Sequence, residues 1–416
     1  MTTVRHALVS LVLGCTAIAA LAGYYTVQGD FSYALNSVNN VVAVNSSGSL
    51  AVTLTGTMPV NGQNALITSF DPNTGTVLDS TYVGFGPLGV ELAERDGWAH
   101  VAALTSEGGP LAISILNLAA NGDLSPVAKV TLTQSSVDYY SNLLISRTAP
   151  FGFTMAYDNN SRGPELITFS VEDGHVVSET PAEQSLGDLV LCEHKGKRLV
   201  AYTAFDPAGM HLEVLDATDV SAVAEWASIP LPVNGNQSAT VERGVIFSKN
   251  GRYVFVSNGF INLSAVDLQS KSVVGVLGGP YYFSTIRLWE GTLNGVPARL
   301  LAVEAAPTDG GSQAPHDLLI VNATKPKNLK IKRQLNVPSG FYPNMSDFDF
   351  AAAGKKLCLA VNGEYLELSV PKLGTLVTSQ IPTQNDGAAH ELTVYGGGQK
   401  TLVAWGDFAA LFGSYP

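Results

Sequence analysis

One short pattern recurs along this chain: two extended segments joined by a tight turn that contains glycine. A representative copy is FSKNGRYVFVSN at residues 247–258, where Asn250 and Gly251 form a pair that tolerates positive φ. The residues after this turn alternate in polarity as a half-buried strand does. Eight such hairpins follow one another along the sequence, with predicted turns at Gly48, Gly97, Gly152, Gly196, Gly251, Gly295, Gly354 and Gly398. No window beyond the first residues keeps a helical period. The chain is therefore expected to be all-β and built by repetition.

A second hairpin follows each of the first seven, with turn residues such as Pro72 and Gly75. The residues that lead into these seven turns are 71, 117, 171, 216, 267, 322 and 370, a period of about 50 residues. Four short strands at such a period predict the blades of a β-propeller, because one blade cannot bury both of its faces alone.

The end of the repeat predicts how the ring closes. After seven complete units, residues 390–405 supply one more hairpin and residues 409–415 a third strand. We expect the stretch from 24 to 35 to provide the missing fourth strand, which would leave no open sheet edge in the ring. Eight four-stranded blades are favoured on this count, with seven as the alternative.

The first residues have a different character. Arg5 and His6 precede an uncharged apolar run over residues 7–21, and Ala20 and Ala22 stand where a signal peptidase reads small residues. We expect residues 1–22 to be a secretory signal and residues 23–416 a single propeller domain, secreted or, in a bacterium, periplasmic. A membrane anchor is an alternative, although the run is shorter than the roughly 20 residues of a spanning helix. Lipidation at Cys15 is another.

Composition limits the partners. The 416 residues carry a formal net charge of -12, and no cluster of lysine and arginine with interleaved aromatics reverses this locally, so nucleic acid is not expected as a partner. Cys192 and Cys358 fall three predicted blades apart, too far for a disulfide. Glycans are an option on six Asn-x-Ser/Thr sequons, at Asn45, Asn159, Asn236, Asn262, Asn322 and Asn344.

The stretch from Phe247 to Leu277 resembles the YVTN repeat of surface-layer and lactonase-type propellers. Asn250-Gly251 matches the turn of that repeat, residues 253–258 its signature strand, and residues 265–267 its third strand. The resemblance implies a propeller fold. Its lactonase branch would further imply hydrolysis of a sugar lactone or similar ester, with inward histidine, arginine and glutamate residues, for which the candidates are His390, Glu391 and Arg243.

Motifs for other chemistry are absent from the sequence. There is no CxxC, HxxxH, EF-hand loop or Gly-x-Ser-x-Gly elbow, so we expect no metal and no cofactor. Asp347 and Asp349 alternate within a predicted strand and share one face, which favours a solvated face or a strand-start turn over an oxygen-ligand cation site. The glycine-rich stretches 86–89 and 396–398 border β turns, unlike a phosphate cradle that opens a helix.

The expected binding surface is the mouth of the central channel, where the longer loops of a propeller assemble. Aromatic residues recur in the links between blades and would either stack on a ligand or wedge neighbouring blades together. The predicted ligand-binding residues are Tyr139, Tyr140, Tyr281, Tyr282, Phe341, Tyr342, Glu242 and Asp386. Phe85, His211, His316 and Asp317 are expected on the same face. We expect a monomer that binds an extracellular carbohydrate, peptide or protein; a lactonase-like hydrolase is the second hypothesis, and a redox accessory propeller the third.

Overall fold

The structure is a computed structural model that describes nineteen segments of the chain. These are residues 24–26, 42–60, 63–95, 98–106, 110–134, 136–137, 143–157, 163–183, 189–206, 209–232, 244–257, 262–308, 317–336, 347–361, 364–371, 374–380, 389–395, 400–405 and 408–414.

The described residues form eight antiparallel sheets, seven with four strands and one with five. The first four blades are β2(Val42–Val44), β3(Ala51–Val60), β4(Gln63–Phe70), β5(Val77–Gly84); β6(Pro87–Arg95), β7(Trp98–Ser106), β8(Leu111–Leu118), β9(Leu124–Thr131); β10(Ser136–Val137), β11(Leu144–Ile145), β12(Phe151–Tyr157), β13(Glu165–Ser170), β14(Val176–Pro181); and β15(Val190–His194), β16(Lys197–Asp206), β17(Gly209–Asp216), β18(Ala224–Pro230). In the third blade the innermost strand is split, with β10 and β11 both pairing β12.

The other four blades are β19(Val245–Phe247), β20(Tyr253–Ser257), β21(Asn262–Asp267), β22(Ser272–Gly278); β23(Tyr281–Leu293), β24(Val296–Pro307), β25(Asp317–Asn322), β26(Lys330–Asn336); β27(Asp347–Ala351), β28(Lys356–Val361), β29(Glu364–Ser369), β30(Gly374–Gln380); and β31(Ala389–Tyr395), β32(Lys400–Trp405), β33(Phe408–Ser414), β1(Tyr24–Thr26). Two 3-10 turns, Pro326–Asn328 and Ala352–Gly354, are the helical segments of the described chain. No helix among those residues is long and apolar enough to cross a membrane.

The ring is closed by the two ends of the chain. β1 pairs antiparallel with β33, so that Tyr24 lies opposite Ala410 and Thr26 opposite Phe408. The innermost strand of this eighth blade, β31, contacts β2 of the first blade, and Lys400 donates a hydrogen bond to the Asn73 side chain of that blade. The predicted all-β propeller with eight blades and an amino-terminal closing strand is thereby confirmed.

The core lies between the blades rather than within them. Because side chains alternate across each strand, one set from every blade meets the facing set of its neighbour. Phe283 of the sixth blade shows this arrangement: it is fully buried among Phe255 and Leu263 of the fifth blade and Leu301 and Val303 of its own. Each sheet therefore depends on the next sheet for its hydrophobic burial.

Most of the described hairpin glycines have the predicted conformation, and one does not. Gly251 has φ of +65° in the turn after Ser248. Gly152, predicted in a turn, lies instead within β12 opposite Phe169. An added Cβ there would come within 2.1 Å of the Phe169 ring. This glycine is required by close packing across the strands, and the turn before it is formed by residues 146–150.

Several smaller predictions can be placed on this fold. Cys192 lies on the first strand of the fourth blade and Cys358 on the second strand of the seventh, as predicted, and both are buried thiols outside any disulfide. The Asn45 and Asn262 side chains are buried, so a glycan on either sequon is incompatible with the folded ring. Residues 1–22, and the sequons at Asn159, Asn236 and Asn344, lie outside the described residues.

Candidate ligand-binding face

The propeller has one face formed by the links between blades together with the connections from second to third strands, and we call it the loop face. Of the predicted site residues on this face, Tyr281 and Tyr282 are described in full. His390 and Glu391 lie on the innermost strand β31, where the pairing register shifts between Ala389 and Glu391. The remaining predicted residues, Tyr139, Tyr140, Glu242, Arg243, Phe341, Tyr342 and Asp386, lie outside the described residues, as does His316.

Tyr281 and Tyr282 begin β23, the innermost strand of the sixth blade. The Tyr281 ring lies tilted against Phe283, with centroids 6.2 Å apart and an interplanar angle of 51°. Phe283 is fully buried between blades, whereas Tyr281 and Tyr282 each keep part of their surface accessible. The two roles expected for link aromatics are thus divided between neighbours, because Phe283 is a wedge and the tyrosines are available to solvent. Phe85, in the link after the first blade, is 40% exposed.

Polar side chains surround the Tyr281 phenol. Gln334 on the outermost strand donates a hydrogen bond to Asp317 at 2.8 Å, and Asp317 begins the third strand of the blade. Burial raises the pKa of Tyr281, and the negative charge and hydrogen bond of Asp317 raise it further. The phenol therefore stays protonated as a hydrogen-bond donor beside a carboxylate and an amide.

A second polar group joins the innermost strands of three blades. Arg287 of the sixth blade donates a hydrogen bond to Asp347 of the seventh at 2.7 Å. The other oxygen of Asp347 accepts the backbone N–H of Leu392 in the eighth blade at 3.0 Å. Asp347 begins β27, as the strand-start interpretation required, but the expected solvated face is wrong, because Asp347 is buried and ion-paired.

Asp349, two residues further along the same face of β27, is in a different environment. The dense protein around the channel raises the pKa of Asp349 to about 6, and the nearby Arg287 offsets only part of this effect. Its carboxylate accepts the backbone N–H of Phe350 at 2.7 Å. Asp347 is thus ion-paired with Arg287, whereas Asp349 accepts a hydrogen bond from the backbone of its own strand.

A third group lies at the seam between the third and fourth blades and was not predicted as a unit. His211 Nε2 is 2.6 Å from Glu183 Oε2 and 3.1 Å from Glu213 Oε1. Burial raises the pKa of Glu213, although the hydrogen bond from Ser228 and the neighbouring His211 act in the opposite direction. The sequence signal was His211-x-Glu213, since residues two apart share one face of a strand. Glu183 lies in a link 28 residues earlier, and nothing local connects it to them.

Similar polar contacts recur at the start of the third strands. The Asn64 side chain accepts a hydrogen bond from the backbone N–H of Gly86, in the link that leaves the first blade. The Glu165 carboxylate accepts one from the Gln134 side chain, in the link that enters the third blade. The Asn262 side chain donates one to the Pro232 carbonyl, in the link that enters the fifth blade. His211 and Glu183 have the same arrangement. One function of this position is therefore to fasten the links onto the loop face.

Comparison with known proteins supports the architecture. No protein-family model matches the chain, and no curated protein matches it by sequence. In structure it is similar to Sqt1 of Chaetomium thermophilum, with 14% identity and a TM-score of 0.63 over 95% of this chain and 98% of Sqt1. It is also similar to BamB from Moraxella catarrhalis, with 13% identity and a TM-score of 0.59 over 94% and 99%. Dihydro-heme d1 dehydrogenase NirN in complex with DHE gives 12% identity and a TM-score of 0.58 over 91% and 72%. All three are β-propeller proteins, and likeness at this level of identity shows the fold alone.

Proposed function

We propose that this chain is a secreted, YVTN-type propeller that binds an extracellular carbohydrate through its loop face. Secretion is supported by the apolar leader at residues 7–21 that follows Arg5 and His6. The YVTN relationship is supported by the repeat signature at residues 247–277.

The observation that carries the proposal is the group around Tyr281. Its partly accessible ring is a surface on which a sugar ring can stack, since the aromatic face is apolar and flat. Asp317 is buried and fixes the Tyr281 hydroxyl and the Gln334 amide. The exposed Gln334 amide offers a donor and an acceptor for hydroxyl groups. Binding sites of this kind combine an apolar wall with a few convergent polar groups.

The test is a titration of the mature chain, from Gly23 onward, with neutral oligosaccharides, peptides and sugar lactones. Binding is measured by calorimetry and by the change in melting temperature. A ligand that binds only the native state raises the melting temperature as its concentration exceeds its dissociation constant. We expect an oligosaccharide to bind and Tyr281→Ala to weaken it at least tenfold, the effect of about 1.4 kcal/mol of lost contact. Tyr281→Phe should weaken it less, since the ring is retained.

Trp226→Ala is the matched control, because Trp226 is a half-buried aromatic on the outermost strand β18, under Lys271. It should leave binding unchanged. A peptide that binds in place of the oligosaccharides, or a response that Tyr281→Ala leaves intact, would reject the carbohydrate proposal. A lactone that is consumed during the titration would instead support the hydrolase hypothesis and direct attention to His390, Glu391 and Arg243.

A further inference from the structure

The group formed by Glu183, His211 and Glu213 brings three potential metal-ligand atoms to one point. One atom from each residue lies within 4.8 Å of the other two. The His211 and Glu213 side chains are 8% and 7% exposed, whereas Glu183 is 47% exposed. The site is therefore closed on the side of the strand and open on the side of the link.

The three facing atoms of this group require either a proton or a metal ion between them. A single nitrogen, His211 Nε2, faces two carboxylate oxygens at hydrogen-bonding distance. If Nε2 carried only its lone pair, three electron-rich atoms would face one another in a partly desolvated site, which is unfavourable. Either a proton on Nε2 or a metal ion at the centre of the three atoms removes this repulsion.

We propose that this seam is a divalent metal site, with His211, Glu213 and Glu183 as the protein ligands and Zn²⁺ as the metal class that suits them. One imidazole and two carboxylates neutralise a divalent ion. The imidazole favours Zn²⁺ over Mg²⁺ or Ca²⁺, and Zn²⁺ also accepts carboxylate oxygens and can bind three protein ligands with an open fourth position. The open side next to Glu183 would admit a water molecule as the fourth ligand.

The surrounding structure holds two of the ligands in place. His211 and Glu213 lie two residues apart on β17, with Glu213 opposite Tyr202 on β16 and Ser228 on β18. The Tyr202 hydroxyl accepts the backbone N–H of Glu183 at 3.4 Å, which fastens the link beside the two strand residues. Glu183 can move away from His211 to admit an ion between them, because its side chain is half exposed.

At the equivalent positions of other blades, hydrogen bonds only fasten a link to the loop face, whereas a metal here would also offer a coordination position to a ligand. It would join the link from the third blade to the third strand of the fourth, and its open position would lie on the loop face. The proposal does not depend on carbohydrate binding at Tyr281, which lies in the sixth blade.

The test is calorimetric titration of Zn²⁺ into the untagged mature chain, with Co²⁺ as a visible-absorption probe of coordination. We expect one equivalent of Zn²⁺ to bind, the melting temperature to rise with it, and Co²⁺ to give a tetrahedral spectrum. Glu183→Gln, His211→Gln and Glu213→Gln should each weaken Zn²⁺ binding by at least about tenfold, the smallest loss seen when even an outer-shell partner of a metal ligand is removed.

The matched control is His175→Asn. His175 forms an exposed pair with Asp173 at 2.6 Å in a hairpin turn, and no third metal ligand joins this pair among the residues that the structure describes. This variant should therefore bind Zn²⁺ as the parent does. Glu183→Gln keeps the test valid if a strand variant does not fold, because Glu183 is the exposed member. Absence of binding, or binding that Glu183→Gln and His211→Gln leave intact, would overturn the proposal.

Discussion

Glu193 accepts a hydrogen bond from the backbone N–H of Arg147 at 2.8 Å, joining the first strand of the fourth blade to the first hairpin turn of the third. The same carboxylate accepts bonds from Ser146 and Thr148 at 2.5 Å each and from Arg198 Nε at 3.0 Å. A glutamate therefore fastens one blade to the turn of the blade before it.

This contact recurs at two other interfaces. Glu94 of the second blade accepts the N–H of Ser46 in the first hairpin turn of the first blade at 2.7 Å. Glu290 of the sixth blade accepts the N–H of Lys249 in the corresponding turn of the fifth, and it also pairs with Arg299. The described structure thus has the same glutamate contact between blades one and two, three and four, and five and six.

We predict that Glu193→Ala lowers the free energy of unfolding by about 1–3 kcal/mol, because partly buried donors lose a charged acceptor. Urea denaturation measures this change. Glu172→Gln is the control: Glu172 pairs with Arg95 at 3.0 Å but is 61% exposed, and exposed pairs contribute little. If both variants lowered the free energy of unfolding equally, the Glu193 contact between blades would contribute no more to stability than an exposed ion pair.

The same residue predicts a pH dependence. Burial alone would raise the pKa of Glu193, but the hydrogen bonds from Ser146, Thr148 and Arg198 outweigh it and hold the pKa below its usual value of 4.5. Its folded pKa is depressed, so its stabilisation is present above pH 4.5 and is lost as the pH falls through the folded value. Melting temperatures from pH 3 to 7 should fall less steeply in acid for Glu193→Gln than for the parent. Parallel curves would contradict this prediction.

Asp347 and Asp349 should respond oppositely to the same substitution. Asp347→Asn weakens the ion pair with Arg287 and should destabilise the protein by about 1.5–3 kcal/mol. Asp349 has a pKa raised to about 6 from 3.8, so between those values the unfolded chain releases a proton that the folded chain keeps, and stability falls as the pH rises. Asp349→Asn removes this penalty and retains an acceptor for Phe350.

The expected gain for Asp349→Asn at pH 7.5 is about 1–3 kcal/mol, from roughly 1.4 kcal/mol per unit of pKa difference. At pH 3.5, which lies below both pKa values, the carboxyl group is mostly protonated in both states, and most of the gain should disappear. Urea denaturation of both variants at these two pH values measures the contrast. A gain for Asp349→Asn at pH 3.5 equal to that at pH 7.5 would show that ionisation is not its cause.

The architecture could be predicted from the sequence because the signals of a propeller are local. Turn residues such as Asn250 and Gly251, followed by alternating strands, repeat at a regular period and need no knowledge of distant contacts. The error at Gly152 has the same origin. A glycine shortly after Pro150 predicts a turn when only the local sequence is considered. In the structure, Gly152 instead leaves room for the Phe169 ring on the neighbouring strand.

The candidate sites were less predictable because they join residues from different links and blades. The sequence placed Tyr281 and Asp317 on the loop face. It could not show that they lie close together, because this depends on how β23 and β25 are arranged within the sixth blade. The contact of Glu183 with His211 crosses a seam between blades. Single-sequence patterns specify which face a residue occupies and not which residue of the next blade it meets.

Gly251→Ala tests how tightly neighbouring blades pack. Gly251 has φ of +65°, and an added Cβ would lie 2.9 Å from Cys192 Sγ on the fourth blade. Gly196 has φ of +77° with nothing within 4 Å of an added Cβ, so Gly196→Ala carries only the backbone cost of about 1–2 kcal/mol. We predict a larger loss for Gly251→Ala in urea denaturation, and a smaller difference in a Cys192→Ala background. Equal losses in the parent background would mean that the interface adjusts freely.

The closing strand gives the last prediction. β1 covers the edge of β33 through the pairs Tyr24–Ala410 and Thr26–Phe408, and without it β33 would present a row of unpaired backbone groups. A chain that begins at residue 27 should melt a few degrees below one that begins at Gly23, and it should associate as its concentration rises. Calorimetry and size-exclusion chromatography measure the two effects.

The chain beginning at Gly23 is the matched control for this truncation, since both lack residues 1–22 and differ only by four residues that include β1. Thr26→Pro in that longer chain offers a milder change, because proline removes a backbone donor without shortening the strand. It should lower the melting temperature less than the truncation does. If the two lengths melt together and remain monomeric, β1 does not stabilise the ring, and closure depends instead on contacts between the first and eighth blades such as Lys400 with Asn73.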